Sequence, residues 1–451
     1  MNKNNEDENF LLNFLNMLTD KAKKRGADSA DAISMSSQSI SVSQRLGKKE
    51  DLERSESSGF GLRVFIGKKQ SIVSSTDHSN SEIDELIQRA IEMAKVAPDD
   101  PYAGISDKNT SSRDLNTLNL LDSFEPTVEN LYESVSTAEE AALSIKGITN
   151  SEGSVASWGK ASVALVNTNG FFGSYSGSTF SISAAVIAGN GAEMERDYDY
   201  SVARHQSKLE NAKSIGINAA ERAIKRLNPV KINSSELPVV FDWRVSSSLL
   251  GHFAGAINGQ SIAKKTSFLN EKMNKQVFKK GIKIIDDPLI IDGLGSKPFD
   301  GDGTPTNKIE LVTNGKLNNW ILDLSSSRQL ELKTTGHASR GTSSVPFPSP
   351  TNLYLEPGDA SLEEIIGDLK KGIYITELIG MGVNGVTGDY SRGAAGFLIE
   401  NGNLTYPISE ITIAGNLHSM FADLTPANDL KFKNRTNSPS VLINKMTVAG
   451  N

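Results

Sequence analysis

Cysteine is absent from this chain of 451 residues. That excludes disulfides and thiolate metal ligands, and it fits a reducing compartment. A dense basic run is also missing. Lys and Arg number 47 against 54 Asp and Glu, a net charge of −7. Nucleic-acid affinity comes largely from neutralising phosphates, so direct nucleic-acid binding is not expected. No apolar run is long enough for a membrane span. The longest uncharged stretch of note, at 245–263, contains Ser, His, Asn and Gln. The opening MNKNNEDENFLLNFLNML is acidic and polar before its apolar part, which is not the pattern of a secretory signal. These absences together predict a cytoplasmic location. Histidines occur at 78, 205, 252, 337 and 418, none of them an i, i+4 pair. There is no fixed-period repeat and no low-complexity tail.

What is present is a soluble globular balance, 37% hydrophobic and 22% charged, with length for two domains. Apolar periodicity predicts helices at 8–25, 81–96, 127–145 and 207–227. Strands are expected at 32–44, in a hairpin at 61–76 turned at GKKQ, and in a pair around NTNG at 154–168 and 171–189. The segment NPVKINSSELP, 228–238, reads as a linker ahead of a new apolar strand. Beyond it, segments are short, β-like and broken by glycine, apart from helices at 242–259 and near 361–370. The expected fold is α+β. Residues 1–228 form an N-terminal domain of antiparallel sheet plus helices; residues 229–451 form a β-rich, distorted barrel-like domain carrying one central amphipathic helix.

That helix is the most informative element. Asp242 suits the N-cap, and Val245, Leu249, Phe253 and Ile257 mark one apolar face that ends near Gly259. The helix belongs to FDWRVSSSLLGHFAGAINGQSIAKKTSFL at 241–269. Further on stand PFDGDGTPTNKIELVTNGKLNNWILDLSSSRQL at 298–330, then TTGHASRG and PTNLYLEPG. A third run, GMGVNGVTGDYSRGAAGFLIENGNLTYPISEITIAGNL, occupies 380–417. Together these runs resemble the TldD/PmbA family, and within it the PmbA (TldE) branch. The resemblance spans most of the chain and implies the same two-part architecture.

In the catalytic branch of that family an HExxxH helix holds zinc through two histidines, with the glutamate as general base toward a metal-bound water. The LL pair sets the register. The first histidine falls on Gly251, the glutamate on His252 and the second histidine on Ala256. Gly251 and Ala256 have no donor atoms, and histidine does not replace a carboxylate base. The cysteine ligand that the catalytic branch takes near its C-terminus has no counterpart here. The resemblance therefore implies no catalytic residue and no metal in this chain, and zinc in a TldD-type partner.

Other constellations have plainer readings. GMGVNG at 380–385 matches G-x-G-x-x-G formally, but VTGDYSRGAAG follows instead of a helix, so a glycine-rich turn is expected. Asp300 and Asp302 in PFDGDGTPT lack the ligand set of a calcium loop, position twelve being Leu311, and read as a turn. For His337, in TTGHASRG between Gly336 and Arg340, a cleft position is the functional reading and a surface or structural histidine the plainer one. Asp389, Ser391 and Arg392 form GDYSRG. An Asp–Arg pair fixing the loop is the plain reading, and an arginine facing a peptide or partner is the functional one. Asp389, Ser391, Arg392, His337 and Arg340 are thus the candidate peptide or partner contacts. GFLIENG and ITIAGNL are candidates for an open sheet edge where an extended peptide docks.

The resemblance implies a non-catalytic subunit of a cytoplasmic zinc metalloprotease that pairs with a TldD-type subunit. It would hold unfolded or extended peptides, such as peptide-antibiotic precursors or an antitoxin. The family has also been described as a modulator of DNA gyrase, although the charge balance points away from DNA contact. A stand-alone homodimeric peptide-binding protein is the alternative, and an independent hydrolase using Ser391 or His337 is a third reading.

Overall fold

The structure is a computed structural model that describes residues 3–107 and 115–450. Helix α1 (Lys3–Lys24) leads into strands β1 (Ser29–Arg45), β2 (Lys48–Ile66) and β3 (Lys69–Ser75). Helices α2 (Asn80–Val96) and α3 (Val128–Leu143) follow, then β4 (Ile148–Asn167), β5 (Phe172–Ala188), β6 (Glu195–Ala203) and α4 (Ala212–Lys225). The strands make one antiparallel sheet in the order β3-β2-β1-β4-β5-β6.

Side chains alternate across a strand, and the alternation sorts this sheet into two faces. Ala30, Ala32, Phe60, Leu62, Val64, Ala164 and Val166 lie under α1 and α2, and Ile182, Ala184, Val186 and Ala188 lie under α3 and α4. The intervening residues Ile33, Met35, Val163 and Leu165 turn the other way and pack toward Phe299 of the C-terminal half. Helix ends are capped as their sequences suggest. Ser79 caps α2, and Thr127 with Asn130 forms a capping box on α3. Two strand segments were not expected from sequence. The first half of β2, from Lys48 to Ser58, is exposed along its length and carries no apolar face to read. Strand β6 was also unpredicted.

The C-terminal half begins with β7 (Ser235–Phe241), α5 (Trp243–Ala256) and α6 (Gly259–Ala263). Short elements come next: β8 (Ile284–Asp286), β9 (Ile309–Thr313), β10 (Lys316–Leu317), α7 (Leu324–Gln329), β11 (Ala338–Ser339), β12 (Phe347–Pro348) and β13 (Leu353–Leu355). The chain ends with α8 (Leu362–Gly367), β14 (Lys371–Ile379), β15 (Asp389–Glu400), β16 (Asn403–Asn416), α9 (Leu417–Asp423), β17 (Thr425–Pro426), β18 (Thr436–Asn437) and β19 (Val441–Ala449). Strands β16-β15-β14-β7-β19 run in order, and a pairing of β16 with β19 closes them into a five-stranded barrel. The expected α+β organisation, with a barrel-like β-rich half, is what forms. Short helices α6, α7 and α9 add to the two expected there. Among the described residues no helix is long and apolar enough to cross a membrane.

Barrel closure corrects one expectation. GFLIENG lies in β15, which has β14 on one side and β16 on the other, and Thr412 to Ala414 of β16 pair with both β15 and β19. Neither segment is an open edge. An unpaired side exists elsewhere. From Lys48 to Gly59, β2 pairs with β1 on one side, and its pairing with β3 begins only at Phe60.

Candidate functional site

Helix α5 is held at its start and along its apolar stripe. Asp242 accepts from the Arg244 amide at 2.9 Å and from the Arg244 side chain at 3.2 Å, and the Tyr374 hydroxyl donates to its other oxygen. Arg244 also reaches Asp197 of β6 at 2.8 Å, tying the helix to the N-terminal sheet. Leu249, Phe253 and Ile257 are buried as the period-four pattern predicts, and Val245 at the start of the stripe is half-buried against the same core. The Phe253 ring stands edge-on to Phe278 at 5.1 Å and to Phe421 at 6.1 Å. The helix stops at Ala256, and Asn258 caps α6 immediately afterwards.

The opposite side of α5 is bare. Gly251 and Gly255 are exposed, and a Cβ built on either meets nothing within 4 Å. Ala256 points a buried methyl inward. A zinc site needs nitrogen, sulfur or oxygen donors in a near-tetrahedral set. Along this helix His252 is the sole side chain of the three motif positions that has one. Among the described residues no group of three or more His, Cys, Asp or Glu could hold a metal ion. The donor set does not fit zinc.

His252 is half-buried and stands edge-on to Tyr390, with ring centroids 6.0 Å apart. Burial, and then the nearby Arg392 guanidinium, push its imidazole below the ordinary histidine range, which favours the neutral ring. Tyr390 sits on β15, where alternate residues share a face. Tyr390 and Arg392 point toward His252, while Asp389 and Ser391 point to solvent. One polar atom of each of these side chains is buried without a protein partner: His252 Nε2, the Tyr390 hydroxyl and Arg392 Nε. Burial raises the Tyr390 hydroxyl well above its usual range, so it stays a donor.

The sequence placed Asp389 and Arg392 as a pair, and that pair does not form. Three positions apart on one strand, their side chains leave opposite faces. Asp389 instead accepts from the Thr387 hydroxyl at 2.6 Å and Asn416 at 3.1 Å. The GMGVNG segment is the close backbone approach expected of it. The Ser391 amide donates to the Gly382 carbonyl at 2.7 Å, and a Cβ on Gly382 would fall 2.0 Å from the Ser391 oxygen.

His337 and Arg340 lie in the interior, 1% and 7% exposed, and neither joins the His252 cluster. His337 contacts Asp286 at 3.1 Å through Nε2 and the Thr335 carbonyl at 2.8 Å through Nδ1. Arg340 pairs with Asp31. Asp300 accepts from the amides of Asp302, Thr304 and Ala338, which makes PFDGDGTPT a turn built on its own backbone. Tyr390 was the residue missed from sequence. The available signal was strand alternation, which places it beside Arg392 rather than beside Asp389.

Comparison with known proteins places this geometry. Models of the PmbA/TldA metallopeptidase match in three parts: domain 1 over residues 30–94, the central domain over 122–227 and the C-terminal domain over 234–450. Metalloprotease PmbA of Escherichia coli O157:H7 is 36% identical over 94% of this chain and 93% of its own length. The chain belongs to the PmbA/TldD metallopeptidase family. Solved structures agree with that membership. A proposed modulator of a DNA gyrase from Thermotoga maritima is 25% identical, with a TM-score of 0.89 over 97% of this chain and 99% of that one. TldE from Thermococcus kodakarensis shares the PmbA/TldD fold with a TM-score of 0.85, at 20% identity over 97% of this chain and all of that one.

Proposed function

We propose that this PmbA/TldD-family chain is the non-catalytic, TldE-type subunit of a cytoplasmic two-subunit zinc metallopeptidase, in which a TldD-type partner holds the metal. The observation that carries this reading is what stands at the two ligand positions of α5. The position of the first metal ligand is an exposed glycine, and that of the second is a buried methyl. Its substrates are unfolded or extended peptides, peptide-antibiotic precursors or an antitoxin among them. The unpaired side of β2 from Lys48 to Gly59 offers main-chain donors and acceptors to such a peptide with little demand on its sequence. The exposed Asp389 and Ser391, with Arg392 and the cluster behind them, form a contact surface for the peptide or the partner.

The test is reconstitution. Unfolded casein is incubated with this chain, with the TldD-type protein of the same genome, and with both. The reading expects no cleavage by this chain alone and chelator-sensitive cleavage by the mixture. Cleavage by the purified chain alone, or no complex with the TldD-type protein, contradicts it. In the second case a self-associated chain that still binds peptide would support the stand-alone alternative.

A further inference from the structure

Between the N-terminal sheet and the C-terminal half lies a cavity of about 250 Å³, floored by the sheet face that carries Tyr175 and roofed by the segment around Lys297. Arg204, Lys297 and Arg435 all line it. Among the described residues none of the three is in an ion pair. Arg204 donates to the carbonyls of Ser178, Gly293 and Leu294 at 3.1, 3.3 and 2.8 Å. Lys297 donates to the Ala338 carbonyl at 3.0 Å. Arg435 is exposed at the mouth. The acid on the wall, Asp300, spends its oxygens on three backbone amides.

Burial strips water from Arg204 and Lys297, the exposed Arg435 adds a third like charge, and Asp300 offsets the cost at Lys297 only in part, so the cavity carries uncompensated positive charge. Burial, and then Arg435, push Arg204 down to about 10, and burial pushes the Lys297 ammonium down as well. An anion reverses both effects. A single carboxylate supplies one charge and one plane of acceptors. A phosphate group supplies about two charges and acceptors in several directions, which suits two guanidiniums and an ammonium on different walls. We propose that this cavity binds a small oxyanion of the phosphate class, free phosphate or a compact phosphate monoester, through Arg204, Lys297 and Arg435. The site is separate from α5 and does not depend on the role proposed for that helix.

Isothermal titration of the full chain at constant ionic strength tests this. The probes are inorganic phosphate and glycerol 3-phosphate, with acetate as the single-charge control. Saturable one-to-one binding of phosphate or the ester is expected, with acetate silent. Tighter binding of the ester assigns the site to a monoester, and the reverse assigns it to free phosphate. Arg435→Ala removes an exposed side chain with no hydrogen bond to lose. It should weaken binding about tenfold or more while the melting temperature of the ligand-free protein holds or rises. Lys297→Gln should weaken binding similarly where it folds. Absence of saturable binding by either probe, equal binding of acetate, or unchanged affinity in Arg435→Ala overturns the proposal.

Discussion

Arg340 and Asp31 stand 309 positions apart and meet as a buried ion pair, Nη1 donating to Oδ1 at 2.7 Å. Asp31 belongs to β1 and Arg340 to the C-terminal half. Arg63 of β2 donates to the other Asp31 oxygen through Nε at 3.0 Å and reaches Asp302 at 3.2 Å. Two guanidiniums and two carboxylates thus lock the sheet onto the barrel half. Burial alone would raise Asp31, but Arg340 and Arg63 outweigh it and hold the carboxyl below its usual range.

Breaking such a pair leaves a buried charge unmatched. Arg340→Ala should cost about 3–5 kcal/mol, read from urea unfolding. A loss below about 1 kcal/mol would show that water or rearrangement replaces the contact.

Asp300 behaves oppositely. Burial and then neighbouring Asp302 raise it to about 6. A carboxyl raised on folding favours the folded state while protonated and loses that contribution as pH rises from about 4 through about 6. The stability of Asp300→Asn relative to wild type should therefore climb across that window and level off above it. A flat difference would mean that Asp300 titrates in the ordinary carboxylate range.

Phe253 is fully buried between two other rings, and Phe253→Ala should cost roughly 3–5 kcal/mol. His252→Ala, at a half-buried position, should cost far less. Equal losses in chemical denaturation would mean that the α5 faces have been misassigned.

Local signals made much of this legible. Helix α5 announces itself through Asp242 and a period-four stripe, because capping and one-sided burial both leave their mark on neighbouring residues. The turns around GKKQ and NTNG do the same. Features that depend on distant partners leave no such mark. Nothing near Asp31 predicts Arg340, and nothing in β16 predicts its closure onto β19. The exposed half of β2 holds a single apolar residue, Leu52, and so has no alternation to read. The His252–Tyr390–Arg392 cluster was half visible. Strand alternation pairs Tyr390 with Arg392, but only the fold brings α5 alongside.

Arg392 presents a planar fork with a buried Nε that has no protein partner. Arg392→Lys keeps the charge and loses the fork. It should weaken peptide or partner binding while the zinc content of the assembled complex and the melting temperature stay unchanged. Normal affinity with a clear drop in melting temperature would reduce this arginine to a packing role.

The central claim is that this chain carries no metal of its own, because Gly251 and Ala256 give zinc nothing to bind. Elemental analysis of the tag-free, dialysed chain measures it directly. The account predicts zinc far below one equivalent per chain, with all stoichiometric zinc of a reconstituted complex in the TldD-type partner. About one zinc per isolated chain, resistant to dialysis, would contradict it.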